Sequence, residues 1–358
     1  MTIHRANEVL ADRYKVVNKI GAGGMQEVYR VIDTIFDREV ALKVPKNPAA
    51  VRRFQKSAAL SARINHPNVA KTLDFFDQSS NFYLVEELVP GQDLSAAKDR
   101  LEVMDPYLVA HLLHHIAKGV AASHDAGVVH RDLKPSNIVV SPSLSFEVIK
   151  ITDFGIARMT QEEMVDAIDG GNDTITNSST VAGAIPYLSP EMVERPRTAD
   201  RPTDIWAIGA IGFELLSGTK PYGKGLVAIP RIMAAEPLVI PDLAVSNSQF
   251  ADTSRAVFEI INSCLQKDPA DRPTAAKLVS DCERLCYPLA KRQLGCVVGN
   301  RHTSWFARVD GREVFYHPSS VYGTRPRMGQ AVLLAPHPAS PHPRAHPVLA
   351  VTQSASEE

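Results

Sequence analysis

The sequence predicts an α+β fold in three parts: a β-rich first lobe, a helical second lobe and a small five-stranded β-barrel. Three observations carry this. Alternating apolar and polar residues, rich in β-branched types, fill residues 14–46 and return before residue 90. From about residue 93 to residue 287 the period becomes helical. After Leu294 short alternating runs resume, separated by turn residues. Strands first and helices after imply two lobes of different character.

Each element follows from its residues. "YKVVNKI", "EVYRVID" and "EVALKV" read as three antiparallel strands. "AAVRRFQKSAALSARI", residues 49–64, consists of good helix formers and is stopped near "NHPN" by Pro67. "TLDFFD" and "NFYLVEELV" give two more strands. "PYLVAHLLHHIAKGVAASHDAG" puts Leu112, Leu113, Ile116 and Val120 on one helical stripe, with Gly127 as C-cap. "GCVVGN", "SWFARV", "REVFYH", "QAVLLA" and "HPVLAV" are the five barrel strands. The Pro/His-rich "APHPASPHPRAHP" reads as a loop between the last two, with metal binding by its histidines the weaker alternative.

The chain of 358 residues is 44% hydrophobic and 22% charged, as expected of a globular protein with a large core. A net charge of −1 names no partner. The charge is uneven: eight Lys and Arg against four Asp and Glu from Lys291 onward make that region +4 and leave −5 before it. Four cysteines (Cys264, Cys282, Cys286, Cys296) are too few for a disulfide framework and lack zinc-site spacing. The first fifteen residues contain no apolar signal core. The longest apolar-rich run, "IWAIGAIGFELL", is too short to span a bilayer and contains Glu214. The expectation is a cytoplasmic protein without a membrane span.

Two stretches raise chemical questions. "GAGGMQEV" (Gly21 to Val28) is a glycine-rich turn that lets backbone N–H groups approach phosphate oxygens, and "VALKV" then sets Lys43 mid-strand, where a lysine needs an anion. "FYLVEELVPG" (82–91) holds two carboxylates, Glu86 and Glu87, inside an apolar strand, where burial demands a partner.

"VVHRDLKPSNIVV" (128–140), "KITDFGIAR" (150–158) and "PYLSPE" (186–191) follow in order. With them the sequence resembles the eukaryotic-like, bacterial-type Ser/Thr protein kinases from about Tyr14 to Tyr287. The resemblance implies a bilobal kinase fold, with the lobes meeting near residue 90 and a linker at 288–293. It implies ATP and Mg2+ as cofactors and protein Ser/Thr hydroxyls as substrate. It makes Asp132 and Lys134 catalytic, and Asn137 and Asp153 magnesium ligands. It puts the nucleotide against Ile20, Gly21, Ala22, Gly23, Gly24, Met25, Gln26, Val28, Ala41, Lys43, Glu86, Glu87 and Val89. Structural and regulatory roles fall to Glu191 with Arg272, to Asp204 under the catalytic loop, and to Arg131. Arg131 would meet a phosphate carried by Thr174, Thr176, Ser178, Ser179 or Thr180.

Three residues depart from the family pattern. Gln26 replaces the third glycine of the loop. Ala184 replaces a threonine that hydrogen-bonds the catalytic Asp and Lys. Ser57 falls where the first helix normally offers a glutamate to the strand lysine, and no Asp or Glu occurs between Glu39 and Asp74. Glu87 takes the usual hinge glutamate position. Glu86, on a normally apolar position, becomes the expected partner of Lys43; the alternatives are a solvent-facing Glu86 or a strand offset by one.

Residues 294–352 resemble a cold-shock domain, an OB-type barrel, followed by a tail at 353–358. Trp305, Phe315 and His317 fall on positions that stack unpaired bases of single-stranded RNA or DNA, while Thr303 and Pro318 replace aromatics. The leading function is a Ser/Thr protein kinase localised or regulated by nucleic acid. The rivals are a nucleotide-binding pseudokinase scaffold and a nucleic-acid-binding regulator with a weak kinase domain.

Overall fold

The structure, a computed structural model, describes residues 3–22, 26–46, 51–79, 81–142, 144–154, 183–285, 290–301 and 304–352. Gly23, Gly24, Met25, the five candidate phosphosites, Cys286, Tyr287 and Thr303 lie outside the described residues.

The first lobe is an antiparallel sheet of β1 (Val9–Leu10), β2 (Tyr14–Ala22), β3 (Gln26–Asp33), β4 (Arg38–Pro45), β5 (Thr72–Gln78) and β6 (Asn81–Glu87). Its order is β1-β2-β3-β4-β6-β5. Period-two alternation divides the faces. Tyr29, Val31, Val40, Leu42, Val44, Tyr83 and Val85 build one buried cluster. The opposite face carries Lys43 and Leu84, and α1 (Val51–Ser61) lays Phe54 and Ala58 on Leu84. Helix α1 is shorter than the 49–64 expected: it gives way to turns after Ser61, and residues 47–50 lie outside the described set.

The helical lobe contains α2 (Leu94–Asp99) and α3 (Pro106–Asp125), then α4 (Pro190–Glu194), α5 (Pro202–Ser217), α6 (Ile229–Ala234), α7 (Asp242–Val245), α8 (Ser248–Cys264) and α9 (Ala275–Glu283). Asp105 caps α3 by accepting the N–H groups of Tyr107 and Leu108, Pro106 occupies the first turn, and Gly127 follows with φ 73°. Leu112, Leu113, Ile116 and Val120 are all buried. Helix α5 is buried nearly all round, and Glu214 within it is satisfied by the Tyr187 hydroxyl at 2.5 Å and Lys98 at 3.4 Å. Among the described residues no helix is long and apolar enough to cross a membrane. A small sheet of β7 (Gln92–Asp93), β8 (Ile138–Val140) and β9 (Ile149–Ile151) presents the loops of the central motifs to the cleft.

The C-terminal part is a closed five-stranded barrel: β10 (Gln293–Arg301), β11 (Ser304–Val309), β12 (Arg312–Tyr316), β13 (Ala331–His337) and β14 (Arg344–Ala350), in the order β10-β11-β12-β14-β13. β12 and β14 pair in parallel, and the other neighbours are antiparallel. The Pro/His-rich stretch is only partly loop, because its two ends belong to β13 and β14.

The barrel does not hang from a tether. Tyr322, Leu333, Leu349 and Val351 join the hydrophobic core of the helical lobe. Thr352 donates its N–H to the Arg100 carbonyl at 2.9 Å, Asn247 bonds the Ser319 carbonyl at 2.8 Å, and His346 stacks on Phe250 at 5.0 Å. At the junction Arg292 and Asp105, both buried, form an ion pair at 2.8 Å.

Candidate active site

Lys43 sits on β4 across from Leu84, and Ala41, two residues away, pairs with Glu86 on β6. Residues of equal parity share a face, so Glu86 points the way Lys43 does and Val85 goes into the sheet's other cluster. Lys43 Nζ lies 2.5 Å from Glu86 Oε2 and 2.9 Å from Asp153 Oδ1. Both Lys43 and Glu86 are buried. Burial works against the Lys43 charge, but Asp153 and Glu86 more than offset it and hold its pKa above the usual lysine value. Burial raises the Glu86 carboxyl, with Lys43 opposing. Burial would raise Asp153 too, yet the Lys43 ammonium outweighs it and the net shift is downward.

Gly21 and Val28 pair across β2 and β3, and Val28 pairs with Lys43. These pairs set Gly21 and Val28 beside Lys43, and Ala41 beside Glu86, on the same face. Ile20 and Ala22 at the end of β2 are exposed, and Val89 beyond β6 is half-buried. Gln26 opens β3, and its Nε2 donates to Asp153 Oδ1 at 3.0 Å. Glu87 is turned away from Lys43: its carboxylate takes Lys150 Nζ at 2.8 Å, and its N–H donates to the Lys71 carbonyl.

The segment after α3 returns to the cleft as an irregular loop. Asp204, fully buried near the start of α5, accepts the His130 N–H at 2.9 Å, the Arg131 N–H at 2.7 Å and His124 Nε2 at 2.8 Å. Burial would raise its carboxyl, but His124 and the other donors outweigh this and keep it below the usual range. These bonds hold Arg131 at φ 64°, a left-handed conformation that needs such restraint. Asp132 then meets Lys134 Nζ at 2.8 Å and Asn137 Nδ2 at 3.2 Å, and Asn137 Nδ2 also donates to the Asp132 carbonyl at 2.8 Å. Asp153, at φ 62°, completes the group from the end of β9.

Farther out, Arg272 grips Glu191 with two bonds, at 2.6 and 2.9 Å, and lies over the Trp206 ring at 4.9 Å. Thr203 donates to Glu191 at 2.9 Å. Ala184 is buried and lines a small cavity with Arg131, Asp132 and Thr203. Ala184 offers no hydroxyl to Asp132 or Lys134, which contact each other directly.

Hard oxygen donors suit Mg2+. Asp153 offers a carboxylate, and Asn137, with its amide nitrogen committed to Asp132, has its amide oxygen as the remaining donor to a metal. These residues fit the ion.

On the barrel the expected platform needs correction. Trp305 pairs with Tyr316 and shares the inward row with Ala307 and Val309, packing against the barrel core. Phe306 takes the outward position opposite Phe315, with ring centroids 5.9 Å apart, and His342 lies 5.5 Å from Phe306. His317 is exposed and bonds Ser319. Counting alternate residues back from the apolar Ala307 and Val309 puts Trp305 on the inward row and leaves Phe306 facing outward. The Gln26–Asp153 bond carries no local sequence signal.

Residues 14–282 match the protein kinase domain family. The chain belongs to the protein kinase family. A probable serine/threonine-protein kinase PknB of Corynebacterium glutamicum is 34% identical over 77% of this chain and 43% of that protein. Serine/threonine-protein kinase pkn3 of Myxococcus xanthus is 33% identical over 75% of this chain and 49% of its own length. Serine/threonine-protein kinase PknA of Mycobacterium tuberculosis is 32% identical over 75% of this chain and 60% of its own length. The chain therefore spans less than two thirds of each of these relatives.

Proposed function

We propose that the chain transfers the γ-phosphate of Mg·ATP to Ser and Thr hydroxyls of proteins. One observation carries the reading: the Lys43–Asp153 pair and the Asp132–Lys134–Asn137 group are joined across the cleft through Thr152, whose N–H donates to the Asn137 carbonyl and whose hydroxyl donates to Asp153 Oδ2. The names of the relatives support the Ser/Thr class.

In this reading Lys43, held charged by Glu86, binds the α- and β-phosphates. Asp132 orients the substrate hydroxyl and accepts its proton, and Lys134 beside it stabilises the transferring phosphoryl group. Asn137 and Asp153 hold Mg2+, which when bound neutralises charge on the phosphates. Positioning matters more here than basicity, because the transition state is loose. The work of these residues is to align and to exclude competing geometries. Arg131 adjoins Asp132 and is the residue assigned to an activating phosphate.

Incubation of the full chain with labelled ATP, Mg2+ and a protein acceptor tests this. Incorporation that Asp132→Asn abolishes supports it. Nucleotide binding without incorporation would favour a scaffold.

The outward Phe306–Phe315 pair supports a second reading, of the C-terminal part as an OB-type, cold-shock-like module binding single-stranded nucleic acid by stacking. Arg308 and Arg312 belong to the same two strands, Arg344 pairs with Phe315 from β14, and all three supply positive charge. A labelled oligonucleotide whose anisotropy does not change with the full chain would exclude it.

A further inference from the structure

Gln26 stands where the glycine motif has no side chain, and its amide does something a glycine cannot. Nε2 crosses from the strand lobe to the helical lobe and donates to Asp153 Oδ1 at 3.0 Å. The same oxygen already accepts Lys43 Nζ at 2.9 Å. The other carboxylate oxygen of Asp153 takes the Thr152 hydroxyl at 3.2 Å. We propose that Gln26 determines nucleotide affinity as a latch: its amide occupies the metal-binding oxygen of Asp153 and must be displaced before a metal-bound nucleotide enters. This rests on the reading of Lys43 and Asp153 as the Mg·nucleotide site.

The chemistry is a competition for lone pairs. An N–H donor and a cation cannot hold the same face of one carboxylate oxygen. Lys43 keeps a second anchor in Glu86 and stays charged when it shifts toward phosphate. Gln26 has no second anchor: its Oε1 is buried and makes no hydrogen bond among the described residues. The amide thus gains one charge-assisted bond while its carbonyl loses water. Such a latch holds the empty cleft and releases readily when a better occupant of Asp153 arrives. Apparent affinity for Mg·nucleotide falls by the fraction of molecules that are latched. Adenosine, which has no phosphate and brings no metal, leaves Gln26 in place.

The test measures binding to the full chain with a fluorescent ADP analogue, in Mg2+ and in EDTA, and with adenosine as competitor. Gln26→Ala is expected to tighten Mg·ADP by about tenfold, equivalent to ~1.4 kcal/mol, with adenosine affinity unchanged. The Mg2+ concentration for half-maximal binding falls in parallel. Gln26→Met, which keeps the bulk and removes the amide, is expected to behave alike. Tightening in the Ala variant alone would assign the effect to volume and overturn the latch. Unchanged or weaker Mg·ADP binding in both variants would also overturn it, since the amide would then serve the bound phosphates. Asp153→Asn separates the underlying reading: Mg2+-dependent binding that survives this change removes the metal site itself, whatever the Gln26 variants do, and the latch with it.

Discussion

Lys43 draws its carboxylate partner from the neighbouring strand: Glu86 Oε2 is 2.5 Å from its Nζ, diagonally across the β4–β6 pair. Removing one member of a buried pair leaves the other uncompensated, at about 3–5 kcal/mol. Glu86→Met is expected to weaken Mg·ATP binding and lower kcat/KM by roughly 10–100-fold, about 1.4–2.7 kcal/mol of transition-state stabilisation. Steady-state kinetics with varied ATP measure this. Wild-type values in the variant would remove Glu86 from the mechanism.

The Arg292–Asp105 pair predicts an asymmetric mutational response. Asp105 caps α3 and also receives Arg292, so Arg292→Ala strands a buried carboxylate. The melting temperature is expected to fall by several degrees, and protease cleavage near residues 286–292 to accelerate. Limited proteolysis with mass spectrometry reads both the rate and the site. Replacing exposed Arg344 is the control, with a change within about 0.5 kcal/mol.

Acid stability should track Glu191 and Asp204. Burial would raise both carboxyls, but Arg272 on Glu191 and His124 on Asp204 pull each below the usual range. A carboxylate depressed in the folded state stabilises fully above its unfolded value of about 4.3 for Glu, and loses this as pH falls through the folded value. Urea midpoints are therefore expected to be flat above about pH 5 and to drop steeply below about pH 4. Glu191→Gln is expected to lower stability at neutral pH and to make the acid limb shallower. An unchanged limb would show that other groups govern it.

Thiol reactivity should differ sharply among three cysteines. Burial pushes Cys264 and Cys282 up to about 12, whereas Cys296 is exposed on β10. Iodoacetamide at pH 8 under native conditions is expected to modify Cys296 and spare Cys264 and Cys282, because the thiolate is the nucleophile. Peptide mapping assigns the sites. Rapid labelling of Cys264 would reveal opening of the helical lobe.

Inward packing of Trp305 changes what an oligonucleotide titration should show. Trp305 faces the barrel core and Trp206 is fully buried, so tryptophan emission is expected to change little on binding. Phe315→Ala and Phe306→Ala are each expected to cost about 1–3 kcal/mol of affinity. Strong tryptophan quenching would put the bases elsewhere.

Local motifs made much of the cleft readable. The lysine strand, the loop from His130 to Asn137 and Asp153 are each compact in sequence, and short spacings fix short distances. The proximity of Glu86 to Lys43 is readable from the kinase resemblance, which implies that position 86 lies near the strand lysine, together with a first helix that has no acid to offer. Trp305 is misassigned by a one-residue offset, which in a strand moves a side chain to the opposite face. The Gln26–Asp153 bond spans 127 residues and exists only because two lobes close on each other. Arg292 and Asp105 are 187 residues apart, and neither carries a motif that announces the other. Contacts of this kind depend on how finished parts dock, which periodicity does not encode.

The shared core of barrel and helical lobe has a thermodynamic corollary. Tyr322, Leu333, Leu349 and Val351 are counted among the same buried cluster as Trp206 and Leu112. A ligand that favours the docked barrel by some free energy must stabilise the helical lobe by that amount, and a ligand of the cleft that stiffens the lobe must return the favour at the barrel. Reciprocity of this sort needs no movement and no wire between the sites. Calorimetry would show it as one unfolding transition for both parts, shifted as a unit by Mg·ADP. Two resolved transitions, with only one responding, would mean that the parts keep separate accounts.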